Sequence, residues 1–151
     1  MKIRDGKIDI KTLVQVVDGL EQWQPVTQAA FPISNAFLEN IIFPSLKVEI
    51  PDLNRDAYNL DEFMAVIQSN SSLELVDIQK HRFGYMVNKT ICEFAKVTIN
   101  GIQVESINSE STEIADVKKT LKECGLESVE NINYIQAIKR VIGMIDNPLA
   151  N

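Results

Sequence analysis

Three dipeptides fix most of what this chain can become. Asp5-Gly6, Asp18-Gly19 and Asn100-Gly101 each lie between segments whose apolar and polar residues alternate with period two. Such a pair is a strong hairpin signal, because the turn needs positive φ and Gly adopts it without steric cost. Asp5-Gly6 joins Lys2-Ile3-Arg4 to Lys7-Ile8-Asp9-Ile10-Lys11. Asp18-Gly19 turns a long strand, about residues 7–17, into a short one of about 20–24 that ends before Pro25. Asn100-Gly101 joins strands near 91–99 and 102–110, and a further alternating strand runs from Val76 to Val87.

Helical patterns fill the gaps. Ser34 is placed to cap a helix through about Phe43, stopped by Pro44. Asn59 with Glu62 forms a capping pair for a helix ending near Gln68. A third helix runs from about Thr112 to Glu123, with Gly125 as its stop. The fourth starts at Asn133 with Gln136 three residues on, and carries Ile135, Ile138, Ile142 and Ile145 along one stripe. Strands follow one another through hairpins rather than alternating with helices, so the expected class is an antiparallel α+β fold with four peripheral helices.

Composition narrows the function classes. The chain has 151 residues, 45% hydrophobic and 24% charged, and reads as a single globular domain over residues 1–151. Its net charge of −6 argues against nucleic-acid and membrane partners, which select a basic field. No apolar run approaches the ~18–20 residues of a membrane span, and no secretory apolar segment follows the first residues, so the expected location is cytoplasmic. Cys92 and Cys124 form no CxxC and read as reduced thiols; a single His excludes a His-rich zinc site.

The charges on the strands carry the functional signal. Residues two apart share a strand face. Lys2 and Arg4 therefore share one, as do Lys7, Asp9 and Lys11, while Ile3, Ile8 and Ile10 point the other way. Further on, Lys80 and Arg82 share a face, with His81, Phe83 and Tyr85 opposite, and single acids stand at Glu93 and Glu110. A charged strand face is ordinarily just solvated. Repetition across distant strands points instead to a cationic surface that an anion neutralises. Arg and Lys at close range cradle phosphate oxygens, and carboxylates among them suit a divalent cation bridging to phosphate.

In this order, Lys2-Ile3-Arg4, Ile8-Asp9-Ile10-Lys11, Lys80-His81-Arg82 with Tyr85, Glu93, Glu110 and Asn133-Tyr134 resemble the CYTH family, the triphosphate tunnel metalloenzymes. The resemblance implies an antiparallel β-tunnel with helices outside. Lys2, Arg4, Lys11, Lys80 and Arg82 would ligate a linear triphosphate, and Glu93 and Glu110 would hold Mg²⁺ or Mn²⁺. The chemistry implied is hydrolysis or transfer of a triphosphate-containing substrate; no individual catalytic residue is assigned.

Two departures from the family pattern matter. The Glu-x-Glu-x-Lys strand near the family's N-terminus is absent, so the sheet is expected as an open curved sheet or incomplete barrel. Asn108 stands two residues before Glu110, where the pattern has a second carboxylate. Both departures weaken the metal site more than the phosphate cradle. A non-catalytic polyphosphate-binding module, or a scaffold without a small ligand, are the alternatives. An open strand edge around residues 11–17 further leads to the expectation of a homodimer.

Overall fold

The computed structural model describes residues 1–149. It divides into two compact units, Met1–Leu75 and a second from residue 76 onward, described in turn.

The first unit is built on β1 (Lys2–Arg4), β2 (Lys7–Val17) and β3 (Leu20–Ala30), an antiparallel sheet in the order β1-β2-β3. Both turns form as the sequence requires, with positive φ at Asp5 and Gly6 and again at Asp18 and Gly19. A small sheet pairs β4 (Ile33–Ser34) with β5 (Ala57–Tyr58). Between them runs a composite helix: α1 (Asn35–Phe37), a π-helical stretch (Leu38–Ile42) and α2 (Phe43–Leu46). Helix α3 (Leu60–Ser69) follows, closed at its start by a reciprocal capping box. In that box Glu62 N–H donates to Asn59 Oδ1 and Asn59 N–H to Glu62 Oε2, each at 2.9 Å. Ile8 and Ile10 from β2 join Leu38, Ile42, Phe43, Tyr58, Phe63 and Ile67 in one buried cluster. Burying that face of β2 turns its charged face outward.

Two expectations about proline are corrected here. Strand β3 does not end before Pro25 but runs to Ala30. Ile10 pairs with Thr27 and Lys11 with Pro25, which leaves Val26 unpaired as a bulge, and β3 lies at the sheet edge. Bulges and edges are where a strand accepts a residue without an N–H. Pro44 likewise does not stop its helix. Phe43 N–H bonds back to the Leu38 carbonyl to close the π-helical stretch, and Pro44 falls in the first turn of α2. No N–H is required there. The helix stops at Lys47, which takes the left-handed conformation at φ 57°.

The second unit is built on β6 (Ile78–Val87), β7 (Thr90–Ile99) and β8 (Ile102–Glu110), again antiparallel and in sequential order. The β7–β8 turn is the expected Asn100-Gly101. The β6–β7 turn is Asn88-Lys89, with φ 48° and 62° and no glycine. Pairing is unbroken from Ile78↔Ile99 to Val87↔Thr90 and from Ile91↔Glu110 to Ile99↔Ile102, so parity assigns every side chain to a face.

Helix α5 (Tyr134–Val141) covers one face, where Tyr134, Ile138, Val141 and Ile142 pack on Ala95, Val97 and Ile99, as do Val76 and Val104. The apolar stripe is thus shifted from the expected one, and Ile135 stays 44% exposed. Asn133 caps α5 by accepting from Gln136 N–H at 3.0 Å. Arg140 clamps Glu130 through two hydrogen bonds of 2.8 and 2.7 Å, tying α5 to the preceding loop. Helix α4 (Ile114–Glu123) sits on the other face, where buried Thr120 Oγ1 donates to the Val87 carbonyl at 3.2 Å and meets Thr90 Oγ1 at 3.1 Å.

The fold is therefore α+β, with antiparallel sheets and four helical segments, the first of them composite. Among the described residues no sheet closes into a barrel. Among the described residues no helix is long and apolar enough to cross a membrane.

Candidate functional site

The predicted residues fall on two charged sheet faces, one in each unit. In the first unit, antiparallel pairing sets Lys2 opposite Asp9 and Arg4 opposite Lys7. These four, with Asp5 and Gln28, line a polar recess of about 120 Å³. Lys2 Nζ lies 2.9 Å from Asp9 Oδ2, and Arg4 Nε lies 3.6 Å from Asp5 Oδ2. The Lys2 ammonium holds the Asp9 carboxyl below the ordinary carboxylate range; burial opposes this, and Lys11 and Arg4 add to it. Lys11 sits at the bulge opposite Pro25 and does not line the recess, although its charge reaches Asp9.

The second face is the more organised. Lys80, Arg82, Gly84 and Met86 of β6 share it with Ile91, Glu93, Ala95 and Val97 of β7 and with Ser106, Asn108 and Glu110 of β8. Glu93 accepts from both cations: Lys80 Nζ contacts Oε1, and Arg82 Nη1 lies 3.5 Å from Oε2. Helix α5 brings in Tyr134, whose ring lies beneath Lys80 Nζ at 4.5 Å from its centroid and whose hydroxyl meets Ser106 Oγ at 2.6 Å. Burial works to lower the Lys80 pKa. The hydrogen bonds to Glu93 and Tyr134, with their charges, outweigh it, so Lys80 is held above the ordinary lysine value. Lys80 is thus a firmly charged, positioned ammonium, while Arg82 keeps 57% of its side chain exposed. Asn108 is directly opposite Glu93, and Glu110 lies two pairs along, opposite Ile91.

Chemically, this face offers a fixed ammonium, a freer guanidinium fork and an amide beside a partly neutralised carboxylate. Such an array binds oxyanions. Among the described residues no three His, Cys, Asp or Glu side chains gather into a metal cluster. Glu93, Asn108 and Glu110 nevertheless present hard oxygens on one face. Of these, Glu93 is already engaged by Lys80 and Arg82.

His81 points to the opposite face, where it stacks on Phe83 with centroids 4.8 Å apart, as its strand position predicts. An apolar cavity of about 210 Å³ lies on that side, lined in part by Tyr85, Phe94, Ile107 and Thr120. Ser106 was not singled out by sequence reasoning. Its only signal is that it shares strand parity with Asn108 and Glu110, and its use depends on where α5 docks. Comparison with known proteins finds no matching protein-family model, no matching curated protein and no matching solved structure.

Proposed function

We propose that the Lys80–Arg82 face binds the phosphate chain of an oligophosphate ligand. The observation that supports this reading is the convergence of two cations on one carboxylate at the margin of the sheet face that α5 covers, where Arg82 keeps 57% of its side chain exposed. Lys80, held by Glu93 and Tyr134, acts as a point charge; Arg82 swings as the planar fork that matches two phosphate oxygens. The first unit's recess, with Lys2, Arg4 and Lys7, offers the same chemistry in a second cluster.

A second reading adds hydrolysis, and the shared face of Glu93, Asn108 and Glu110 favours it. Glu93 and Glu110 would hold Mg²⁺ or Mn²⁺, which when bound supplies charge neutralisation at the phosphate oxygens. This chain's own part is to orient the phosphates through Lys80 and Arg82.

Calorimetric titration with tripolyphosphate, with and without Mg²⁺, tests both readings. Binding is expected without metal, and Arg82→Ala should weaken it by about tenfold, the effect of losing one charged hydrogen bond. Wild-type protein, shown to be folded, that binds no tripolyphosphate would sink the proposal in favour of a scaffold. Phosphate release only in the presence of the metal would select the hydrolase; binding without turnover would select the binding module.

A further inference from the structure

Backbone conformation accounts for five of the six glycines. Gly6, Gly19, Gly101, Gly125 and Gly143 all hold positive φ, where a side chain is strained. Gly84 does not share that geometry. It lies inside β6, where glycine weakens a strand and leaves nothing to pack. Packing does not account for it either, since a Cβ built at this position meets no atom within 4 Å. A bare position in a strand interior also marks a place where another molecule comes close to the backbone.

The surroundings say what kind of molecule. Gly84 is paired directly with Glu93, which is paired with Asn108, so the three form one row across the sheet. Arg82 precedes it on the same face, and the exposed pair Met86–Ile91 follows. The Glu93 charge is already engaged by Lys80 and Arg82. The absent side chain therefore leaves open space on the sheet face, on the same side as Arg82, whose side chain is 57% exposed.

We propose that Gly84 is the specificity-determining floor of the phosphate site: its missing side chain admits a phosphate group onto the β6 backbone beside Arg82. This rests on the oligophosphate reading and adds a size limit to it. Any side chain at 84 would stand in the volume the phosphate needs, while the strand itself would be no worse formed.

The test is a graded series, Gly84→Ala, Gly84→Val and Gly84→Leu, in the full chain, with tripolyphosphate titration and thermal melting on each. The Kd should rise stepwise with side-chain size, by roughly tenfold or more at Val. The melting temperature should hold or rise, since β-branched residues favour strands. A glycine retained only for structure gives the opposite pattern, a lower melting temperature with Kd preserved, and that result overturns the inference. If Arg82→Ala loses affinity while Gly84→Leu keeps it, the inference fails and the oligophosphate reading stands. If wild-type protein binds no tripolyphosphate, both fall.

Discussion

Replacing Glu93 by Gln should move stability and anion affinity in opposite directions. The substitution keeps the side chain's shape and removes its charge. Lys80 is 27% exposed at its side chain and Glu93 16%, so the pair lies between a surface ion pair and a buried one. Surface pairs contribute about 0–1 kcal/mol, and breaking a buried one costs about 3–5 kcal/mol. The Arg82 contact adds little, being 3.5 Å long with a guanidinium side chain 57% exposed. Glutamine still accepts one hydrogen bond from Lys80. A loss of about 2 kcal/mol follows, which for a chain of this length lowers Tm by about 4–8 °C.

The pH dependence has a definite sign. Lys80 is raised in the folded state, so its contribution is complete below the ordinary lysine pKa and is lost as pH rises through the raised value. The gap between wild type and Glu93→Gln should therefore persist through neutral pH and narrow above about pH 10.4. Meanwhile Lys80 and Arg82 lose their internal counter-charge, and tripolyphosphate should bind more tightly without metal. Circular-dichroism melts across pH and calorimetric titration read both effects. A variant with Tm unchanged to within about one degree, or with weaker metal-free binding, would refute the reasoning.

Two further substitutions test the scaffold. Thr120→Val keeps shape but removes the buried hydroxyl that joins α4 to the Val87 carbonyl and Thr90, so it should cost about 1–3 kcal/mol in urea unfolding, with Thr120→Ser restoring most of it. An unchanged midpoint for Thr120→Val would mean that α4 is not anchored through this pair. Asp9 is held below the ordinary carboxylate range by Lys2, so its stabilising contribution is present at neutral pH and is lost as pH falls through the lowered value. Asp9→Asn should flatten the acid limb of the Tm profile below about pH 4 and lower Tm slightly at neutral pH; a profile parallel to wild type at every pH would contradict the Lys2–Asp9 linkage.

What could be read in advance follows from which interactions are local. The turns at Asp5-Gly6, Asp18-Gly19 and Asn100-Gly101 were legible because glycine at the second position signals positive φ on its own. Asn88-Lys89 makes the same kind of turn without that signal, since a lysine accepts φ 62° only when the flanking pairs hold it there. Pro25 and Pro44 misled for a related reason. A missing N–H ends an element only where the element needs that donor, and a bulge at Val26 and a π-helical stretch at Leu38–Ile42 remove the need.

The same division runs through the site. Period two placed Lys80 and Arg82 on one face, but which carboxylate meets them is a matter of register. Only the pairing of Gly84 with Glu93 brings that carboxylate within reach of both. Tyr134 reaches Lys80 because α5 packs on Ala95 and Val97, a tertiary choice that keeps Ile138 and Ile142 of the expected stripe against the sheet and leaves Ile135 outside. Gly84 is the limiting case. Its identity is visible in the sequence, yet its meaning emerges only when backbone strain and internal packing have both been excluded as reasons for it. A glycine that neither the turn rules nor the core requires lies one row from the cations, where a bound anion would need the space.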